Sequence, residues 1–331
     1  MTAAEFFYHA KVFLLALFVT LIPYKGIDLP VLDVSEPDCL LNVEMVSDTH
    51  LETADPFRTG FLKQGLRRMG KSKTPVDAIV VAGDLTNYGD EPSLALYYQL
   101  LKDYAPAQVI TVAGNHDIGH AGDRDKTDLT REECLANVIK YYNEYSGRDL
   151  TTNYYSETIK GYKFIVLGDE VIDGGHWDAI SMTPEQLDFL DRELAEGTAN
   201  GNPVFVCCHW PLDGINGENT IWGGDSGITP EEYPVKEILE KYQNVFYISG
   251  HMHGGVRAEA VGEKYDMPIA EQVNGVTYIS LPCYGIVNWY GITWSGLGAQ
   301  LEVYRDHVNL RPLNYLTGNW YPNANYTFAL V

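Results

Sequence analysis

Three things are scarce in this 331-residue chain. Basic residues are the first: 23 Lys and Arg stand against 45 Asp and Glu, a formal net charge of −22. Such a field repels a polyanion like duplex DNA unless a local basic patch intervenes. The densest basic stretch, Lys63 to Lys73, falls on an expected helix and the loop after it, where a solvated helix face accounts for it. Nucleic acid is therefore not an expected partner. Cysteine is the second scarcity. The five, at 39, 134, 207, 208 and 283, are an odd number without CxxC spacing. A disulfide scaffold is excluded, and all five read as reduced, structural residues. Long apolar runs are the third. Val12–Ile22 is uncharged over eleven residues, short of the ~18–20 that an uninterrupted membrane span needs. Its length matches the apolar region of a secretory signal, yet Glu5 offsets Lys11 and no A-x-A-like cleavage site follows. Residues 1–37 are thus expected to be an apolar N-terminal segment: signal-like, an uncleaved anchor, or a helix packed on the protein. Export or membrane attachment through this segment is preferred, and with it an extracytoplasmic or membrane-anchored location rather than a cytoplasmic one.

What is present is ordinary globular material. Apolar residues make up 45% and charged residues 21%, which excludes disordered, collagen-like and coiled-coil classes. No repeat, low-complexity tract or linker interrupts the chain after residue 38. Strands are expected at Leu41–Val46, Asp77–Ala82, Gln108–Ala113, Tyr162–Leu167, Val204–Cys208 and Val245–Ser249. Helices are expected at Phe57–Met69, Ser93–Asp103, Arg131–Tyr145, Pro184–Leu194 and Pro230–Tyr242. Val276–Leu281, Gln300–Tyr304 and Val308–Leu313 follow without a long helix between them and read as antiparallel strands. Alternating strands and helices with a strand-rich end predict an α/β protein, a layered sandwich with a mixed sheet. Residues 38–331 form one domain that includes the strand-rich C-terminal part.

The chemistry lies where potential metal ligands fall. Asp48 and His50 follow the strand Leu41–Val46, Asp84 follows Asp77–Ala82, and Asn115, His116 and Asp117 follow Gln108–Ala113. His209 follows Val204–Cys208, and His251 and His253 follow Val245–Ser249. In open α/β sheets the carboxyl ends of the strands are where ligands bind. In an extended chain, residues i and i+2 project to one side, so Asp48 and His50, and His251 and His253, can each aim at one place. Gly83, Gly114 and Gly250 precede the ligands and permit tight turns and close backbone approach. One such fragment is ordinarily a turn or a packed histidine. Five together, each at a strand end, are not explained by packing.

The series Asp48-Thr-His50, Gly83-Asp84, Gly114-Asn115-His116-Asp117, His209 and Gly250-His251-Met-His253 resembles the calcineurin-like metallophosphoesterase superfamily. Gly83-Asp-Leu-Thr-Asn-Tyr-Gly89, the helix start Thr183-Pro-Glu-Gln-Leu187 and His209-Trp-Pro211 are similar to its bacterial branch of cyclic-nucleotide and glycerophosphodiester phosphodiesterases. The resemblance covers about residues 38 to 316 and implies a metallo-dependent phosphatase-like fold: an α/β/β/α sandwich of two mixed sheets flanked by helices. It also implies two metal ions per chain. Asp48, His50, Asp84 and His253 would hold one. Asp84, Asn115, His209 and His251 would hold the other, with Asp84 bridging. Imidazole, carboxylate and amide donors suit Fe, Mn or Zn. The implied reaction is cleavage of a phosphoric ester by direct attack of a hydroxide bridging the metals. His116 would serve the leaving alkoxide, and Asp117 would orient the His116 ring. The expected partner is a small phosphate ester, with a diester preferred. The alternatives are a phosphomonoesterase or nucleotidase, a pyrophosphatase, or a binding scaffold without catalysis. Nothing in the sequence bears on oligomeric state. Loop residues His120, His176, Asp169 and Asp173 are further candidates at the site's mouth, and Trp177, Trp210 and Trp222 are candidates for stacking a base or sugar.

Overall fold

The computed structural model describes residues 29–119, 128–172, 180–216, 227–256, 268–286, 288 and 294–331. The apolar run Val12–Ile22 lies outside them. Among the described residues no helix is long and apolar enough to cross a membrane.

The strands form two six-stranded sheets among the described residues. The first contains β1 (Leu41–Val46), β2 (Ala78–Val81) and β3 (Gln108–Thr111), which run parallel, and β10 (Leu297–Val303), β11 (His307–Asn314) and β12 (Tyr326–Ala329), which join antiparallel. Its order is β12-β11-β10-β1-β2-β3. The second has the order β4-β5-β6-β7-β9-β8. It comprises β4 (Tyr155–Ile159), β5 (Tyr162–Val166), β6 (Val204–Cys207), β7 (Val245–Ser249), β8 (Ala270–Val273) and β9 (Val276–Ser280). Its strands β5, β6, β7 and β9 are mutually parallel, and β4 and β8 close its edges antiparallel. This is the two-sheet mixed architecture expected.

Side-chain alternation assembles the layers. Phe164, Val166, Phe205, Cys207, Phe246 and Ile248 share a core with Met45, Val80 and Ile110 of the first sheet. The intervening Ile165, Leu167, Val204, Val206, Val245 and Tyr247 face a second core. That core includes Leu190 and Leu194 of one helix and Val235 and Leu239 of another. The period of two along a strand allows one strand to serve both cores. Four helices are set by their starts. Asp55 caps α1 (Pro56–Met69) by accepting from Phe57 N and Arg58 N, Asp90 caps α2 (Glu91–Tyr104), and Thr130 with Glu133 forms a capping box on α3 (Arg131–Ser146). Thr183 caps α4 (Pro184–Thr198), as the Thr-Pro start suggested.

Two expectations need correction. The helix expected over Pro230–Tyr242 is only α5, Val235–Leu239. Pro234 lacks an N–H and disfavours helical backbone in the residue before it, so the helix begins after it. Val276–Ser280 is not an antiparallel neighbour of the C-terminal strands. It belongs to the other sheet and lies parallel to β7, with Phe246 opposite Thr277. The chain re-enters this sheet through β8, which pairs antiparallel with β9.

A polar strip is buried where β1 meets β10, with Asn42 opposite Glu302 and Glu44 opposite Gln300. Arg311 Nη1 donates to Glu302 at 2.6 Å, and Tyr315 Oη donates to Glu44 at 2.5 Å. Burial outweighs these bonds at Glu44 and raises its carboxyl to about 7. An acid raised above its unfolded value binds its proton more tightly when folded, so stability falls as pH rises from about 4.5 towards 7. Glu44→Gln keeps an acceptor for Tyr315 and removes the charge. It is expected to raise stability at pH 8 by on the order of 1–3 kcal/mol and to leave stability at pH 5 nearly unchanged, as read by denaturant melts at both pH values.

Candidate metal centre

The carboxyl ends of β1, β2 and β3 in one sheet and of β6 and β7 in the other meet at a single place. Backbone bonds stitch the loops together. Asp48 N donates to Gly83 O, His50 N to Asp84 O and Gly250 N to His209 O, at 2.8–3.0 Å. Across the sheets, His251 N reaches Asp48 Oδ2 at 3.3 Å.

The side chains converge in two groups that share Asp84. In the first, His253 Nε2 lies 3.0 Å from Asp48 Oδ1 and 3.1 Å from His50 Nε2. His50 Nε2 lies 3.6 Å from Asp84 Oδ2. Single ligand atoms of these four buried residues all lie within 4.8 Å of one another. In the second, the same Asp84 Oδ2 lies 3.3 Å from His209 Nε2. His209 Nε2 lies 3.2 Å from Asn115 Oδ1, which lies 3.1 Å from His251 Nδ1. All seven side chains named from the sequence are therefore brought together.

The tautomers decide what this cluster suits. His209 Nδ1 faces the Ala82 carbonyl at 2.8 Å, and a carbonyl only accepts. That nitrogen therefore carries the hydrogen, and neutral His209 turns a lone pair towards Asp84 and Asn115. His50 Nδ1 likewise faces Asn87 Oδ1 at 3.1 Å, which leaves the His50 Nε2 lone pair inside. Lone pairs and carboxylate oxygens converge, and only positive charge makes that favourable. Burial pushes His50 and His251 down to about 3, so both are neutral. Burial also opposes charge on His209, but the Asp84 carboxylate holds it up to about 9. Burial acts against the Asp84 carboxylate too, yet His209 and His116 keep it well below the usual range. A proton on His209 can thus supply the charge, and a cation held at the same atoms would replace it. The donor set fits metal ions.

The route by which the pairs converge differs from the expectation. Asp48-Thr49-His50 and His251-Met252-His253 are not extended. Asp48, His50, Asp84, His251 and His253 all have positive φ, between 46° and 70°. L residues pay roughly 1–2 kcal/mol each in that region, and such strain gathers at functional sites. Gly83 takes φ 99° beside them. At Gly250, a Cβ would lie 2.6 Å from Asp48 Oδ2, so only glycine allows this approach.

His116 sits beside the ligands with its N–H on Asp84 Oδ1 at 3.0 Å. Its ring meets the His50 ring edge to face, with centroids 4.7 Å apart. Asp117 is a correction. Its carboxylate accepts from Leu85 N, Thr86 N, Thr86 Oγ1 and Gly114 N at 2.7–2.9 Å. Those bonds tie the Asp84 loop to the Asn115 loop, whereas His116 Nδ1 faces the Asn87 carbonyl at 3.1 Å. The orienting contact expected from Asp117 is made by Asn87.

Two other candidates fall away. Asp169 is buried and ion-paired with Arg131, away from the mouth role expected of it. Trp210 is fully buried, its ring edge-on to His209, so it is not a stacking platform. His120, Asp173, His176, Trp177 and Trp222 lie outside the described residues. Two contributors were not foreseen. Asn87 stood inside the Gly83–Gly89 run, and the amide at that spacing was its only signal. Cys283 reads from the sequence as a core thiol. It is buried, but its Sγ donates to Asp48 O at 3.2 Å, and it forms a ligand-type group with His50 and His253.

The chain is similar to known proteins. A family model described as calcineurin-like phosphoesterase matches residues 43–255. Metallophosphoesterase 1 of Danio rerio is 22% identical over 276 residues, covering 71% of this chain and 68% of its own. A dimetal phosphatase from Danio rerio superposes with a TM-score of 0.58 at 14% identity, covering 89% of this chain and all of that one. A purple acid phosphatase from yellow lupin, Lupinus luteus, gives 0.56 at 13% identity over 87% of this chain, which spans 53% of the lupin protein. At these identities the two structural likenesses speak for the fold alone.

Proposed function

The chain belongs to the calcineurin-like phosphoesterase family, and from that premise we propose that it is a binuclear-metal hydrolase of phosphoric diesters. The observation that carries the proposal is the acceptor-rich cluster around Asp84, whose Oδ2 faces His50 on one side and His209 on the other. Asp48, His50, Asp84 and His253 would hold one ion, and Asp84, Asn115, His209 and His251 the other. The donors suit Fe, Mn or Zn. Two such ions would acidify water and offset charge on a phosphate undergoing in-line displacement.

The protein's own groups do the rest. The carbonyl oxygens of Asn87 and Ala82 fix the ring orientations of His116 and His209. His116, less buried than the ligands, would carry the proton for the leaving alkoxide. Asp117 holds the two loops in register through backbone amides. The run Gly83–Gly89, the Thr183–Leu187 helix start and His209-Trp-Pro211 support the diester preference. A phosphomonoesterase on the same scaffold is the second reading; the two structural relatives are themselves described as phosphatases. The run Val12–Ile22 supports an extracytoplasmic or membrane-anchored location, which fractionation of expressing cells checks.

Metal-loaded protein is expected to release nitrophenol faster from bis(nitrophenyl) phosphate than from nitrophenyl phosphate. The reverse order would move the assignment to a monoesterase. Hydrolysis of neither, with two ions bound, would leave a non-catalytic scaffold.

A further inference from the structure

We infer that Asn87 is a positioning residue that sets the orientations of the metal-ligand candidate His50 and of His116 together. The inference builds on the reading of the site as a dinuclear phosphoesterase centre. One residue meets both rings by different atoms. Its side-chain Oδ1 lies 3.1 Å from His50 Nδ1, and its backbone carbonyl lies 3.1 Å from His116 Nδ1. Asn87 N donates to Leu51 O at 3.1 Å, which ties the turn to the residue after His50.

The direction of the Asn87 amide follows from Glu52. Asn87 Nδ2 donates to Glu52 Oε2 at 3.0 Å. An ionised carboxylate only accepts, so the NH2 group must face Glu52 and the oxygen must face His50. That oxygen in turn demands the hydrogen on His50 Nδ1 and leaves Nε2 bare towards Asp84 and His253. Glu52 therefore selects the His50 tautomer through Asn87. Partners behind metal-bound histidines commonly act this way, and losing one typically costs 10–100-fold in metal affinity. His50 and His116 stand edge to face, so a rotation of one ring displaces the other.

The test uses the full chain and Zn2+, titrated against a chromophoric chelator to resolve the two binding equivalents. Asn87→Ala is expected to weaken one equivalent by about 10–100-fold and to leave the other near the wild-type value. Asn87→Asp restores an acceptor for His50 Nδ1 but sets a carboxylate against Glu52. The double variant Asn87→Asp/Glu52→Gln, whose glutamine NH2 can donate to the new carboxylate, is therefore expected to recover most of that affinity. Glu52→Gln, at a partly exposed position, is expected to weaken the same equivalent by a smaller factor, and it serves if Asn87→Ala does not fold. Folded variants that bind both equivalents as the wild type does would overturn the inference, as would a wild type that binds no Zn2+. Unchanged affinities beside normal esterase activity would remove the role of Asn87 and keep the hydrolase. The selective loss in a protein that hydrolyses no phosphate ester would remove the hydrolase and keep the role.

Discussion

Asp84→Asn is expected to empty both halves of the metal centre and to lower phosphoesterase turnover by about 10³-fold or more. Asp84 Oδ2 stands 3.6 Å from His50 Nε2 and 3.3 Å from His209 Nε2. Its Oδ1 accepts the backbone N–H of His116 at 3.0 Å. Asparagine cannot satisfy both sides. With its nitrogen towards His116 it opposes a donor with a donor, and with its nitrogen towards the histidines it meets incoming cations with N–H groups. In either orientation it lacks the charge that the cluster contributes to two ions. Metal analysis after gel filtration is the measurement. Two tightly retained ions in the folded variant would contradict the shared position of Asp84.

His116→Ala is expected to show the opposite separation, with metal retained and turnover lost. The His116 backbone N–H, not its ring, bonds Asp84, and alanine keeps that bond. The ring is held at Nδ1 by the Asn87 carbonyl and lies at the edge of the buried cluster. Removing a positioned general acid ordinarily costs 10²–10⁴-fold. The loss should be largest on alkyl phosphodiesters, whose leaving groups need a proton, and smallest on nitrophenyl esters, whose leaving groups do not. Wild-type turnover of an alkyl diester by a variant holding both metals would remove His116 from the proton role.

The legibility of the fold tracks burial. β1, β2, β5, β6, β7 and β9 are buried along their whole length, so apolar residues dominate their sequences, broken only by buried polar residues such as Asn42, Glu44, Lys163 and Thr277. The strands not anticipated are β4, β8 and β12, each at a sheet edge. Their residues are only partly buried, and a strand such as Tyr155–Ile159 carries Ser, Glu and Thr in its middle. No apolar period marks them. Parallel pairing of β9 was hidden for another reason: strand direction depends on the path of the connection, which local pattern does not encode.

Within the centre the same division applies. The identities of Asp48, His50, Asp84, Asn115, His209, His251 and His253, and their places after strands, were determined by the sequence alone, because donor chemistry belongs to the residue and strand ends follow from apolar runs. Only the tertiary structure decided that the ends of two separate sheets face each other, so that His253 and Asp48, 205 positions apart, come within 3.0 Å. It also decided that the ligand pairs converge through left-handed turns rather than extended chain. Asp117 was committed to backbone amides and Asn87 to the two rings in the same way. The physical reason is that these assignments turn on angles and contacts a few tenths of an ångström wide, set by how separately formed loops pack against one another.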